Sequence, residues 1–268
     1  MLRVRREVDL SSSAFSALEN LQRKVDDAAT YAARVSRAKQ QWESAKKNRP
    51  PFVEVKAVLD AMCWGNRRCC YCEDSAADEI EHHHPKDLYP ELVFAWPNYL
   101  YACGPCNGPK GSRFAVVSPG SATVTIVTRS RNTAIEAPPV GESALLDPRV
   151  DDPLDYLTLD IRDTFWFLPK VPSPSAKHDR AKYTIDVLAL NDRTYLVEGR
   201  RTAYSQLISA LRAATGERAA NPAAALEHPQ RAIFNTSHRS VWEEMKRQAG
   251  RIDELRRLFE VVPEALAW

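Results

Sequence analysis

Two Cys-x-x-Cys pairs, Cys69-Cys70-Tyr71-Cys72 and Cys103-Gly104-Pro105-Cys106, constrain this chain more than any other feature. A tetrahedral zinc ion takes four soft donors at about 2.3 Å, and two such knuckles bring four thiolates to one point. The pairs are separated by about 30 residues, more than the roughly 15 to 20 of compact ribbons, so a folded segment lies between them. A closed four-thiolate site has no open position for water or substrate. Cys69, Cys72, Cys103 and Cys106 are therefore expected to hold structural zinc. A redox dithiol is the competing reading of either pair alone, but two pairs bracketing one segment favour metal. Cys63 and Cys70 fall outside the spacing and read as small buried hydrophobes.

The chain has 268 residues, 44% of them hydrophobic and 27% charged, which suits a folded protein with a sizeable core and excludes wholesale disorder. No apolar run approaches the roughly 20 residues of a membrane span. The basic start MLRVRREVDLSSS has no apolar stretch behind it and does not read as a secretory signal. A cytoplasmic protein with no membrane contact is expected, where six cysteines stay reduced. Lys and Arg number 37 against 35 Asp and Glu, a balance that neither demands nor excludes an anionic partner.

From Ser13 to Lys47 there is no Gly or Pro, and Leu18, Leu21, Val25, Ala28, Ala32, Val35 and Trp42 recur at steps of three and four, with Lys39 filling the one missed place. That spacing predicts one heptad-like helix, capped by Ser11–Ser13 and ended by Asn48-Arg49-Pro50-Pro51. Its apolar face can serve the chain's own core or dock another chain. The run Lys46, Lys47, Arg49 reads as a solvated helix end. A short helix over Phe52–Met62 leads into the cysteine region. Phe114–Val117 and Thr123–Val127 flank Ser118-Pro119-Gly120-Ser121 as a β-hairpin, and Tyr156–Ile161 and Thr164–Leu168 flank Arg162-Asp163 as another. Arg129–Pro139 reads as a linker and Lys170–Ser175 as a loop. Helical periods follow over Asp179–Leu190, Arg193–Ala214 and Ser237–Phe259, with Gly216 and Pro222 as punctuation and Gly250 as a point where the last can break. The expected organisation is an N-terminal helical region (1–62), a metal-stapled core (63–128) and a linker, hairpin and helical region (129–268).

Between the knuckles stand Glu79-Ile80-Glu81-His82-His83-His84-Pro85-Lys86 and Trp96-Pro97-Asn98-Tyr99-Leu100, and Asn107 follows the fourth cysteine. A carboxylate beside an imidazole, with a carboxamide brought alongside by the knuckle, supplies donors for one oxygen-preferring divalent ion and a neighbouring base. This set suits hydrolysis. A His run or an isolated Asn has plainer readings as a surface turn.

The order Cys-x-x-Cys, Glu-His-x-x-Pro-Lys, Trp-x-Asn-x-Leu, Cys-x-x-Cys-Asn-x-x-Lys-Gly resembles an HNH endonuclease of the ββα-metal type with zinc knuckles. Within that superfamily it is most similar to the HNH subunits of Septu anti-phage systems and to retron-associated HNH proteins. The resemblance is strong from Arg68 to Phe114 and weaker through LLDPRVDDPLDYLTLD and AKYTIDVLALNDRTYLVEGRR. It implies a mainly α protein with a small α+β core, a zinc-stapled ββα-metal module flanked by helical regions. It further implies Glu81 and Asn107 as ligands of a catalytic Mg²⁺ or Mn²⁺, His82 as general base, and Asn98 as the residue that pins the loop and orients the base. His83 and His84 stand where the family often has an aromatic residue, so the base role is open to either. Alternate strand positions share a face, which would point His82 and His84 the same way.

The expected function is metal-dependent cleavage of nucleic acid, DNA by default with RNA and tRNA open, as the nuclease effector of a defence module. Septu-like relatives imply an ATPase partner of the SMC-like class. The alternative is a catalytically silent zinc-knuckle subunit that binds nucleic acid or scaffolds a partner. Arg129 with Arg131, Arg200 with Arg201, and Lys246, Arg247, Arg251, Arg256 and Arg257 are candidate phosphate contacts, against a plainer reading as solvated charges. Lys110 is another, with the same plain alternative.

Overall fold

Thr30 divides what the sequence reads as one N-terminal helix. The computed structural model describes residues 1–45, 50–65, 67–74, 76–120, 123–127, 129 and 134–268. In it α1 (Ser12–Asp26) and α2 (Tyr31–Ala45) are separate helices. Thr30 Oγ1 accepts from the backbone of Ala33 at 3.2 Å and its carbonyl from Arg34 at 2.9 Å, which caps a new helix. Leu18, Val25, Val35 and Trp42 are nevertheless all buried. Their period records which side faces the core and is blind to the break. Ser11 caps α1 as expected, its hydroxyl accepting from Ala14 N at 3.2 Å. Lys46, Lys47, Asn48 and Arg49 lie outside the described residues. Pro50 and Pro51 open α3 (Pro50–Met62), in the first turn where a missing N–H costs nothing.

β1 (Glu79–His82) and β2 (Tyr99–Ala102) pair antiparallel, Glu79 opposite Ala102 and His82 opposite Tyr99. α4 (Gly104–Lys110) follows β2 after Cys103. The expected hairpin is present as β3 (Phe114–Val117) with β4 (Val124–Val127), and β5 (Glu142–Ser143) adds to the other edge of β3. Ser121 of its turn, and residues 128 and 130–133 in and beside the expected linker, lie outside the described residues. β6 (Leu157–Leu159) and β7 (Phe167–Pro169) form the second hairpin. Its loop is wider than Arg162-Asp163 because Asp160 gathers the N–H groups of Arg162 and Thr164 and the Thr164 hydroxyl at 2.7–3.0 Å.

The C-terminal part consists of α5 (Ala176–Val187), α6 (Thr194–Ala220), α7 (Glu227–Asn235), α8 (Arg239–Gln248) and α9 (Asp253–Val261). α6 runs through Gly216. Pro222 does punctuate the chain after α6, and α7 occupies a stretch beyond it for which the sequence gives no helical period. Pro229 fits because it sits in the first turn. The helix expected over Ser237–Phe259 is two, broken around Gly250. Helices make up about half of the chain and every sheet among the described residues is small and antiparallel. No helix among them is long and apolar enough to cross a membrane.

Buried side chains from α1 to α9 form one hydrophobic cluster that includes Leu18, Trp42, Phe52, Tyr71, Tyr99, Leu207 and Trp242. Arg149, 8% exposed, staples the central loop to it. Its guanidinium lies 4.5 Å from the centre of the Trp96 ring, donates to the carbonyls of Trp96 at 2.6 Å and Tyr99 at 3.1 Å, and pairs with Glu7 at 2.8 Å. Glu7 is about half exposed, so solvent screens that pair while the carbonyls depend on Arg149. Arg149→Ala is expected to cost about 2–3 kcal/mol and Glu7→Gln under about 1 kcal/mol, read from urea unfolding midpoints. Equal losses would show that the ion pair, not the carbonyl contacts, carries the staple.

Candidate active site

The first knuckle follows α3, and Cys70 N donates to Tyr101 O at 3.0 Å, tying it to β2. The second begins at Cys103, whose carbonyl accepts from Cys106 N at 3.0 Å and Asn107 N at 2.9 Å as α4 starts. The sulfurs of Cys69, Cys72, Cys103 and Cys106 all lie within 4.8 Å of one another, and all four residues are buried. Four donors about 2.3 Å from a common centre at tetrahedral angles stand about 3.8 Å apart. Cys72 Sγ and Cys103 Sγ are separated by 3.8 Å. Four thiols in one dry pocket cannot all ionise without a cation, so donor type, number and spacing fit zinc. Arg193 donates to Cys106 Sγ at 3.3 Å and to Pro105 O at 3.2 Å, placing positive charge against the cluster. Cys63 and Cys70 stand outside it, where burial pushes their thiols up to about 12 and about 11.

Glu81 is 3% exposed and pairs with the ammonium of Lys110, itself fully buried at the end of α4. Lys110 also donates to His82 O at 2.8 Å. This lysine is thus neither solvated nor free for phosphate. Burial raises the Glu81 carboxyl above its ordinary range, with Lys110 only partly offsetting it, so a further cation would be favoured there. His82 Nε2 stands 2.9 Å from Val93 O, which makes Nε2 the protonated nitrogen and leaves the Nδ1 lone pair as the basic one. Its ring packs edge-on against Trp42 at 4.3 Å and Tyr99 at 5.3 Å. Burial pushes the imidazolium down to about 3, so the ring is neutral at pH 7.

Asn98 ties the loop together. Its Oδ1 accepts from His84 N at 2.7 Å, and its Nδ2 donates to His84 O and Leu92 O, each at 3.0 Å. Leu92 precedes Val93, whose carbonyl meets His82 and also accepts the Tyr99 hydroxyl at 2.8 Å. Asn107 Nδ2 donates to Glu79 Oε2 at 2.6 Å, which directs its Oδ1 away from Glu79. Glu81, His82 and Asn107 line one cavity of about 350 Å³, with Trp42, Lys86 and Asp87 in its wall. His83 and His84 do not line it. β1 ends at His82, so strand alternation does not carry His84 into the site. His83 Nε2 meets Ser143 Oγ at 3.0 Å, and the His84 ring stacks edge-on with Tyr89.

Glu79 and Arg193 were not singled out by sequence reasoning. Glu79 had a signal, since it shares a strand face with Glu81, whereas Arg193 had none short of the fold. Among the basic candidates, Arg200 is fully buried and donates to Phe165 O and Leu190 O, so it cannot reach phosphate. Lys246, Arg247 and Arg256 pair with acids of their own helices. Arg129 donates to Asp87 O and Glu136 O, and Arg131 lies outside the described residues.

Chelation or Cys106→Ser should remove one zinc per chain, read by elemental analysis, with loss of cooperative unfolding. Full retention of metal by Cys106→Ser would overturn the four-thiolate site. The histidines predict an acid response. Unfolded histidine takes a proton near pH 6.5, whereas folded His82 does so only at about 3, and burial holds His83 well below its ordinary value too. Stability is therefore lost as pH falls from about 6.5 toward 3, at up to about 1.4 kcal/mol per pH unit for each ring. His83→Asn should narrow the gap between urea midpoints at about pH 7.5 and about pH 5, and an unchanged gap would contradict a buried neutral His83.

Among curated proteins, the chain is similar to the Septu protein PtuB of Bacillus thuringiensis. The two are 31% identical over 152 residues, 55% of this chain and 44% of that protein. The match thus spans less than half of the relative's length. No family model matches the chain.

Proposed function

We propose that this chain is a metal-dependent HNH endonuclease that hydrolyses phosphodiester bonds of nucleic acid, DNA by default, as the nuclease effector of a Septu-like anti-phage defence module. The observation that carries this reading is the convergence of Glu81, His82 and Asn107 on one cavity beside the four-cysteine cluster. Two antiparallel strands followed by a helix, β1–β2–α4, supply these residues in the order a ββα-metal module requires. The similarity to PtuB supports the defence role, and the resemblance to Septu HNH subunits supports an ATPase partner of the SMC-like class.

The donor set suits Mg²⁺ or Mn²⁺, because a carboxylate and a carboxamide oxygen are hard ligands. Glu81 and Asn107 would hold the ion, with Glu79 fixing the Asn107 amide so that its oxygen is the free end. Bound there, it would lend positive charge to the scissile phosphate and the leaving sugar oxygen. His82 Nδ1 takes a proton from water as the water oxygen bonds to phosphorus and the P–O bond to the leaving sugar oxygen breaks, that oxygen then taking a proton from solvent. The Val93 carbonyl holds the ring in the needed tautomer, and Asn98 fixes the adjacent Leu92. Lys86 brings positive charge to the cavity wall.

One observation favours the silent zinc-knuckle alternative: Glu81 and His82 are only 3% and 6% exposed. A cleavage assay decides. Purified zinc-loaded chain with Mg²⁺ or Mn²⁺, alone and with the ATPase partner, is offered supercoiled plasmid, linear DNA and total tRNA. His82→Ala should lower the rate by about 10²–10⁴ while keeping its zinc. Unaltered cleavage by His82→Ala would overturn the assignment of the base. An inert wild type with zinc bound and the partner present would favour the binding or scaffold subunit.

A further inference from the structure

A second concavity, of about 540 Å³, shares no lining residue with the candidate active site. Arg5, Arg6, Arg68 and Arg239 line it together with Trp64 and Phe234. Against four guanidinium groups stands one carboxylate in the lining, Asp60, whose Oδ1 already accepts from Arg67 N at 2.7 Å. Arg5, Arg6 and Arg68 form no ion pair among the described residues. Like charges gathered in a hollow repel one another, so the arrangement favours an anion between them.

Two of these groups are held in place. The Arg5 guanidinium lies 5.3 Å from the centre of the Phe234 ring and that of Arg239 lies 5.5 Å from the Trp64 ring. Trp64 is fixed in turn by its indole N–H, which donates to Arg3 O at 2.8 Å. A guanidinium stacked on a ring keeps its N–H edge for in-plane acceptors, the geometry that suits phosphate oxygens. Arg239 is 8% exposed. Its Nε meets Glu243 at 3.3 Å and its Nη2 meets Trp268 O at 2.6 Å, while its buried Nη1 has no partner among the described residues. The Arg68 stem lies against Gly65, where a side chain would crowd it at 3.3 Å, and its Nη1 donates to Asp74 O.

Small-ligand sites run from about 300 to 1,000 Å³, so the hollow is larger than a bare phosphate needs. Phe234 is 48% exposed, leaving aromatic surface beside the charges, and aromatic surface of that kind is what nucleobases stack on. We propose that this pocket binds the phosphate of a nucleotide, free or within a strand, with the base against the aromatic wall. The site is independent of the nuclease reading, because no residue of the cleavage centre takes part.

The test uses zinc-loaded full-length chain carrying His82→Ala, so that no strand is cut, and compares it with the same chain carrying Arg5→Ala and Arg6→Ala. Both arginines are exposed, and matching zinc content and melting temperature confirm that the fold is kept. The probes are ATP, inorganic pyrophosphate and a labelled single strand of about 20 nucleotides, the last read by fluorescence anisotropy. The double substitution is expected to weaken binding by at least about tenfold. Loss confined to ATP identifies a free nucleotide, and loss confined to the oligonucleotide identifies a strand. Phe234→Ala should weaken ATP more than pyrophosphate, which loses only the contact that orients Arg5, and equal weakening of the two would overturn base stacking on this ring. Equal binding of ATP and pyrophosphate, both insensitive to Phe234→Ala, would overturn the nucleotide assignment. Unchanged affinity for all three probes in the arginine variant would overturn the site altogether, leaving the hollow to an acidic surface of another protein.

Discussion

Four buried thiols brought within 4.8 Å of one another are the constraint on which the rest of the centre depends. Without a cation they are an electrostatic liability; with zinc they become the strongest local tie in the chain. The tie closes a loop whose ends are the two knuckles, and everything proposed for catalysis is inside that loop or attached to it. β2 runs directly into Cys103, and Asn107 follows Cys106 without a spacer. β1 is held to β2 by a register that sets His82 against Tyr99. Metal binding and strand pairing therefore fix the position of Asn107 relative to Glu81 jointly, and neither does so alone.

The flanking helices are part of the same object. Trp42 of α2 packs on the His82 ring and lines the cavity, so the N-terminal region forms a wall of the centre. From the other side of the sequence, Arg193 at the start of α6 donates to a cluster sulfur. Arg149 holds the carbonyls of Trp96 and Tyr99 on either side of the stretch that carries Asn98. A dry, polar centre of this kind costs stability. Here it is surrounded by one continuous hydrophobic cluster that reaches from α1 to α9.

What was legible in the sequence follows from this arrangement. The Cys-x-x-Cys spacing, the Glu81-His82 pair between the knuckles and Asn107 directly after the second are local facts, and the structure brings those three residues to one cavity. Hairpins were legible because turn residues and strand alternation are local too. The break at Thr30 was less so, since a buried face keeps its period across a short interruption, whereas Gly250 marked the later break. α7 has only nine residues, too few for a helical period to stand out. Lys110 and Arg200 were ambiguous for another reason: a basic side chain reads as solvated until its partner across space is known. The partner of Lys110 is on β1, and those of Arg200 are the carbonyls of Phe165 and Leu190.

The contact between β1 and α4 shows how such partners are chosen. Glu79 and Glu81 are two apart on a strand, so their side chains leave the same face, about 6.6 Å apart along the chain. Asn107 and Lys110 are three apart on a helix, so they too share a face, with an axial rise of about 4.5 Å. The strand spacing exceeds the helix rise by about 2 Å, a gap the longer lysine side chain can span, and each glutamate takes one helix residue: Glu79 the Asn107 amide, Glu81 the Lys110 ammonium. A charged donor thus meets the more deeply buried carboxylate and a neutral one meets the half-buried carboxylate. Lys110 extends the contact to the His82 carbonyl, so the same residue that pairs with Glu81 also fixes the backbone of His82. Exchanging the two helix residues would leave Glu81 without a charge opposite it and would set the ammonium against Glu79 instead. The order Asn-x-x-Lys after the last cysteine therefore matches the two carboxylates of the strand it packs against.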